Sequence, residues 1–161
     1  MTTETGPKTA ARDTLPPRWV IRGAWIAHRA IFNLSGGRLG LRRPSPETWG
    51  MMRLRTVGRR SGKERIAILG YFEDGPNLVT MAMNGWGDPE PAWWLNLQAQ
   101  PEAIVELPDG PRPVRARVAT REERPRLWRQ WAAYDGPAAL ESWAARRSRE
   151  TAVVILEPRS A

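Results

Sequence analysis

The sequence predicts a mostly β fold with helices (α+β), in which short antiparallel strands form a barrel. Two observations lead to this prediction. Five or six short strand-like segments are separated by turn residues, which is typical of consecutive hairpins. The 161 residues show no repeat and no linker, and their length suits a single domain with a sizeable core.

The N-terminal segment is expected to hold a polar, disordered tail over residues 1–15 and an amphipathic helix over residues 16–37. Two prolines can open this helix and two glycines can end it. Its apolar stripe consists of Val20, Ile21, Ala24, Trp25, Ile31 and Phe32. Two interpretations stay open: a helix that packs on the protein's own core, and a basic, Trp-bearing helix that touches a membrane or covers a substrate pocket.

The remaining elements follow in order along the chain. Strands are predicted at residues 52–57, 65–72, 78–83, 103–107, 114–119 and 152–156. Helices are predicted at residues 92–100, 121–133 and 137–147. Thr120 and Glu123 have the spacing of a capping box, which predicts the start of the second of these helices.

Composition excludes several kinds of site. The chain has no Cys, so disulfides, Cys-based zinc sites, iron–sulfur clusters and thiol catalysis are impossible. A single histidine, His28, excludes multi-His metal sites, and no metal is expected. No apolar run approaches the roughly 18 residues of a membrane span, and no signal-peptide pattern is present. The sequence therefore predicts a cytoplasmic protein.

The net charge of +8 is unevenly distributed. Residues 1–65 hold 14 Lys or Arg against 4 Asp or Glu, whereas residues 66–161 hold 11 against 13. This asymmetry favours an anionic partner: nucleic acid, an acidic membrane or a multiply charged small molecule. Nucleic acid is not expected, because the aromatic residues cluster on predicted helices instead of alternating with basic residues on strands.

The predicted hairpin turn from Gly58 to Lys63 is the strongest candidate for an anion site. Its glycines permit left-handed backbone angles, so that successive amide N–H groups can converge on an anion. Arg59, Arg60 and Ser61 add charged and neutral donors. The alternative is a solvated basic loop, and the Gly-Lys-Ser/Thr of a P-loop is absent.

Five motifs extend from this turn to the last strand. They are Thr56–Arg65, Tyr71–Gly75, Asn84-Gly85, Pro91–Leu97 followed by Pro101, and Val153–Pro158. Their combination over residues 50–158 resembles the deazaflavin-dependent nitroreductase family. The resemblance implies a split β-barrel of the flavin-reductase and FMN-binding type over residues 50–158. It also implies an F420-dependent oxidoreductase, with reduced coenzyme F420 as hydride donor and an activated double bond, a quinone or a nitro-type group as acceptor.

The resemblance also implies a set of site residues. The phosphate and ribityl arm of F420 would meet Arg59, Arg60, Ser61, Gly62 and Arg65. The rest of the cofactor site would consist of Ala67, Ile68, Met81, Ala82, Met83, Asn84, Trp93 and Asn96. The substrate pocket would hold Trp25, Met83, Tyr134 and Leu140, with Tyr134 as the candidate proton donor.

The chain departs from the family's pattern at several of these positions. Met83-Asn84 stands where nitroreductase-type members carry Ser-Lys, so the Ser that helps to place the substrate in those members is absent here. Glu64 stands where the family usually has Pro, and Ile68 stands where the family often has Pro. An F420-, FMN- or haem-binding split barrel without nitroreductase activity is the alternative, with FMN the less favoured cofactor. The expected partners are a small-molecule hydride acceptor, an anionic membrane surface at the N-terminal helix, and a second copy of the chain.

Overall fold

The computed structural model describes residues 17, 19–20, 22–24, 26–27 and 40–160. Residues 19–20, 22–24 and 26–27 are helical, within the helix predicted for residues 16–37. The predicted tail over residues 1–15, and Trp25 and His28 of the predicted helix, lie outside the described residues. No helix in the described part of the chain is long and apolar enough to cross a membrane.

Six antiparallel strands form a closed barrel. They are β1 (Gly50–Val57), β2 (Glu64–Asp74), β3 (Asn77–Met81), β4 (Glu102–Leu107), β5 (Gly110–Val118) and β6 (Val153–Pro158). The order around the barrel is β1-β2-β3-β6-β5-β4, and pairing of β1 with β4 closes it. The predicted mostly β fold with an antiparallel barrel is confirmed.

Within residues 40–160, four short helical elements accompany the barrel. A 3-10 turn covers Asn84–Trp86, followed by the helices α1 (Ala92–Ala99), α2 (Arg124–Asp135) and α3 (Pro137–Ala144). In β1, buried residues alternate with more exposed ones, so that Met52, Leu54 and Thr56 point inward. Tight turns follow β2 and β4, where Gly75 and Gly110 adopt positive φ angles of 60° and 124°.

The barrel has two apolar clusters, one on each side of its wall. The inner cluster takes side chains from all six strands and is extended by Trp93, Trp94 and Leu97 of α1. The outer cluster joins Phe72, Val79 and Ile155 of the barrel to residues of α2 and α3, including Trp131 and Leu140. Strands β2, β3 and β6 thus bury both faces, because the two helices cover their outer side.

Most predicted boundaries differ from the structure by one to four residues, and three of the differences concern the region around the site. The capping box forms, since Thr120 N–H donates to Glu123 Oε2 at 2.8 Å and Glu123 N–H donates to Thr120 Oγ1 at 3.2 Å. Nevertheless α2 begins at Arg124 instead of residue 121. The strand predicted for 78–83 ends at Met81, because the next carbonyl is bonded to Arg147 instead of a strand. The helix predicted for 137–147 ends at Ala144, which leaves Arg147 outside it.

Candidate functional site

The hairpin turn between β1 and β2 is held by its own backbone. Gly58 N–H donates to Lys63 O at 2.8 Å, while Ser61 N–H and Gly62 N–H donate to Gly58 O at 3.2 and 2.7 Å. A Cβ at position 58 would lie 2.9 Å from Ser61 Oγ and 3.1 Å from Lys63 O, so the turn leaves little room for a side chain there. The prediction that successive amides converge on an anion is therefore wrong for these three N–H groups. Anion binding at this turn therefore depends mainly on its side chains.

Asn96, which lies on α1, holds the same turn through hydrogen bonds of its side chain. Its side chain is buried, and Oδ1 accepts hydrogen bonds from the backbone N–H of Arg59 at 3.1 Å and from Arg59 Nη1 at 3.4 Å. Its Nδ2 donates to Thr56 Oγ1 at 3.1 Å. Asn96 therefore holds the turn in place, and its predicted direct contact with a cofactor stays a prediction. Trp93, on the same helix, is buried in the inner cluster.

The turn carries positive charge that no carboxylate compensates. Arg60, Lys63 and Arg65 are exposed, and within the described part of the chain none of them, nor Arg59, forms an ion pair. Arg65 Nη2 donates to Ser61 Oγ at 3.3 Å, which brings its guanidinium to the turn. An anionic ligand would meet several unpaired donors here.

The one acidic residue beside the turn is occupied elsewhere. Glu64 Oε2 accepts from Arg55 Nη2 at 2.6 Å, and the Arg55 guanidinium also reaches Glu106 at 3.5 Å. The hydrogen bond that Arg55 donates to Glu64 is the main cause that raises the pKa of Arg55. Glu64 therefore points its charge along the outer barrel wall, toward Arg55.

The loop that leads from β3 to α1 contains a left-handed turn. Asn84, Gly85 and Trp86 have φ angles of 48°, 59° and 61°. Asparagine and glycine tolerate this region, whereas for a bulky side chain it is a true outlier. Asn84 Nδ2 donates to Pro89 O at 2.7 Å, and the Trp86 ring is buried, 6.1 Å from the ring of Trp143. Strain of this kind persists only where the surroundings determine the conformation.

A buried arginine that the sequence did not single out holds this loop. The side chain of Arg147 is fully buried. It donates to Ala82 O at 2.8 Å, to Gly87 O at 3.0 Å and to Thr151 Oγ1 at 2.9 Å. The two loop contacts join residues 60 and 65 positions apart in the sequence, so local sequence patterns could not have revealed them.

The remaining predicted cofactor residues lie along β2, β3 and the loop. Ala67 is half-buried, whereas Ile68, Met81 and Ala82 are almost fully buried. A buried Ala82 could border a ligand only through its backbone, and its carbonyl is already bonded to Arg147. Because α1 follows the loop directly and also holds the basic turn, it connects the two parts of the candidate site.

The predicted substrate residues gather at the outer cluster. Met83 and Tyr134 are half-buried and pack against it, and the rings of Tyr134 and Phe72 are 6.4 Å apart. Leu140 is 0% exposed and lies in the outer cluster, and its predicted substrate contact stays a prediction. Trp25 lies outside the described residues.

A separate open cleft of about 310 Å³ lies between α2, α3 and residues 149–151. Its lining consists of Arg124, Pro125, Trp128, Glu141, Ala144, Arg149, Glu150 and Thr151. None of the predicted site residues belongs to it. The chemistry expected from the motifs is therefore assigned to the turn and the loop, where the motif residues lie, and not to this cleft.

The fold and the turn define a class of protein: a six-stranded antiparallel barrel with a basic turn that has no ion pair among the described residues and suits an anionic ligand. The chain belongs to the F420H(2)-dependent quinone reductase family, whose model matches residues 26–158.

Two relatives from Mycobacterium tuberculosis (strain ATCC 25618 / H37Rv) carry the name of this family. Rv3178 is 36% identical over 121 residues, which cover 74% of this chain and 96% of the relative. Rv1261c is 31% identical over 153 residues, which cover 88% of this chain and 97% of the relative. The matches therefore extend over nearly the whole length of both relatives.

Two solved structures support the fold assignment. An F420-H2 dependent reductase, FDR-A, superposes with a TM-score of 0.58 at 27% identity, covering 73% of this chain and 100% of that chain. A structure described as a domain-swapped dimer gives a TM-score of 0.62 at 26% identity, covering 84% and 99%. The predicted split-barrel class and the resemblance to F420-dependent reductases are confirmed. Among the acceptors predicted, the family name specifies the quinone.

Proposed function

We propose that this chain reduces quinones, with reduced coenzyme F420 as the hydride donor. Family membership supports the class of reaction. The single structural observation that carries the proposal is the exposed group of Arg60, Lys63 and Arg65 on the β1–β2 turn, which forms no ion pair with any residue that the structure describes. F420 carries a phosphate and a glutamate tail, so it is a polyanion, and these side chains are the donor set that such a ligand requires.

The phosphate is assigned to side chains of the turn. Arg60 and Arg65 supply charge-assisted hydrogen bonds, and Ser61 supplies a hydroxyl between them. Arg59 has a second task, because its backbone and guanidinium are both bonded to Asn96. We therefore expect Arg60 to contribute more to binding than Arg59.

When bound, F420H2 supplies a hydride from C5, a two-electron donor step that belongs to the cofactor's own chemistry. The chain's residues bind and orient. Met83 and Asn84 form the edge against the ring, and Met83 offers the acceptor an apolar, adaptable surface. Tyr134 is the candidate proton donor, although solvent can also supply the proton of the product. No side chain has to act as a nucleophile.

A steady-state assay tests this function. Purified protein is mixed with F420H2 and a soluble naphthoquinone, and oxidation of F420H2 is followed by absorbance. We expect saturable, protein-dependent turnover that requires the quinone. Absence of turnover with every quinone, enone and nitroaromatic acceptor would contradict the proposal. Tight binding of FMN without binding of F420 would favour the alternative of an FMN-binding barrel.

Two expected partners remain proposals. The described residues of the N-terminal helix include Trp19, which is 75% exposed, and Ile26, which is 68% exposed. Exposed apolar side chains on a basic helix support contact with an anionic membrane surface. A homodimer is supported by the structural relative that is described as a domain-swapped dimer.

A further inference from the structure

The left-handed turn Asn84–Trp86 is stabilised from outside itself. Within the turn, Trp86 N–H donates to Met83 O at 2.7 Å and Gly87 N–H donates to Asn84 O at 3.1 Å. These two bonds do not make a positive φ favourable for a tryptophan. A contact that fixes both ends of the turn is therefore needed to keep this conformation.

Arg147 provides this contact. Its Nη1 donates to Ala82 O, before the turn, and its Nε donates to Gly87 O, after the turn. The next residue continues the attachment, since Ser148 N–H donates to the Asp88 carboxylate. That bond is the main cause that lowers the pKa of Asp88. One fully buried guanidinium thus bridges the two ends of the strained turn.

The chemistry of this contact fits arginine and no other residue. A side chain that bonds two carbonyl groups at once needs donors in fixed directions. The planar guanidinium of arginine has such donors, whereas the ammonium of lysine does not. Burying the charge is costly, and the counter-ion is an imperfect partner: Arg147 Nη2 lies 3.5 Å from Glu90 Oε2 without a hydrogen bond. An apolar residue in its place would leave the carbonyl groups of Ala82 and Gly87 without this donor. The burial of this charge at the ends of the turn indicates that Arg147 serves to fix the conformation of the loop.

We propose that Arg147 is a positioning residue for the acceptor site. It acts through the loop 82–90, so that Met83 and Asn84 keep one arrangement at the edge of the reacting ring. The inference rests on the proposed function, which assigns Met83 and Asn84 to that edge. It predicts that the loop's order and the KM for the quinone depend on Arg147, whereas affinity for F420 depends on the β1–β2 turn.

The test compares Arg147→Lys with Arg124→Lys. Arg124 is a matched control, because its Nη1 donates to Thr151 O at 2.6 Å, in the same segment, and it bonds no residue of the loop 82–90 in the described structure. Loop order is read in the protein without cofactor, as cleavage after Trp86 by chymotrypsin, located by mass spectrometry. The Kd for F420 and the kcat and KM for a soluble naphthoquinone are measured on the same preparations.

For Arg147→Lys we expect cleavage after Trp86 and a quinone KM raised about tenfold, since small displacements of positioning groups are costly. The Kd for F420 should change less than about threefold, because the turn cations are untouched. Arg124→Lys should match the wild type in every measurement. Wild-type resistance to chymotrypsin together with a wild-type KM in Arg147→Lys would overturn the proposal.

Two further outcomes are informative. If Arg147→Lys fails to fold, Asp88→Ala replaces it, because Asp88 is exposed and bonds the same loop to Ser148. This variant should show the same cleavage and the same direction of change in KM, and wild-type behaviour would again overturn the proposal. If wild-type protein neither binds F420 nor reduces quinone, the proposed function fails. The cleavage result then still decides whether Arg147 orders the loop.

Discussion

At the scale of single residues, the role of each polar side chain in the site depends on the hydrogen bonds that it already makes within the protein. Arg60 is exposed and unpaired in the described structure, whereas Arg59 is bonded to Asn96. Both are arginines in the same turn, and their motif gave them the same role. The hydrogen bonds distinguish a ligand-binding side chain from one that also maintains the turn.

Met83 supports a residue-scale prediction about specificity. A methionine offers only an apolar chain and a weak sulfur acceptor, so the pocket should favour quinones over bicyclic nitroimidazoles. We expect weak nitroimidazole turnover by the wild type. Met83→Ser should raise it by about ten- to hundredfold, equivalent to about 1–3 kcal/mol. Turnover of both substrate classes by F420H2 oxidation is the measurement.

The control for this prediction is Met51→Ser, which changes a half-buried methionine of β1. It should leave the ratio of the two activities unchanged. Wild-type turnover of nitroimidazoles equal to that of quinones would show that Met83 does not face the acceptor.

Glu123 supports a prediction about pH. Hydrogen bonds from Arg117 and from the Thr120 backbone lower the pKa of Glu123 to about 2. The charged carboxylate therefore stabilises the fold above the unfolded-state pKa, and this stabilisation is lost as pH falls from about 5 toward 2. Glu123→Gln should cost about 1 kcal/mol at pH 7, a value reduced by solvent screening, and almost nothing at pH 2.

Chemical denaturation at the two pH values measures this difference. Glu122→Gln is the control, since Glu122 is the exposed neighbouring carboxylate. An equal cost of Glu123→Gln at pH 7 and pH 2 would mean that the ion pair with Arg117 contributes nothing to stability.

At the scale of elements, the sequence predicted the strands and helices whose formation depends on residues that are neighbours in the chain. All six strands and the three helices after β3 were expected, because alternation, turn residues and prolines are local signals. The left-handed turn and the attachment of the Arg59 amide to Asn96 were missed. They depend on Arg147 and Asn96, which lie 60 and 37 positions from their partners. Local patterns contain no information on such contacts.

The N-terminal helix gives an element-scale prediction. Its described residues expose Trp19 and Ile26, and the barrel elements lie after it in the chain. We expect full-length protein to float with liposomes that contain anionic lipid, and a variant starting at residue 36 to remain behind while still folding. Circular dichroism checks the fold. Equal flotation of both proteins would contradict the membrane role.

At the scale of the whole molecule, the charge distribution supports the binding of an anionic cofactor at the β1–β2 turn. Most arginines of the barrel wall are paired with carboxylates, as with Arg117, which is bonded to Glu123 and Glu157. The β1–β2 turn is left unpaired in the described structure and concentrates the positive potential there. The sequence located this turn, whereas the identity of the paired arginines required the structure.

Assembly is a whole-molecule prediction. The domain-swapped relative covers 84% of this chain, and we expect a homodimer in solution. Size-exclusion chromatography with light scattering should give about twice the 18.2 kDa mass of one chain. A single species at the monomer mass across the accessible concentrations would contradict this prediction.

The most direct test of the central claim is a fluorescence titration of F420 into the protein, compared with Arg60→Ala. We expect saturable binding near one F420 per chain by the wild type. Arg60→Ala should weaken binding by about 1–3 kcal/mol, the range of a charge-assisted hydrogen bond. Arg121→Ala, at an exposed arginine before α2, should bind as the wild type does. Wild-type affinity in both Arg60→Ala and Arg59→Ala would contradict the assignment of the phosphate to this turn.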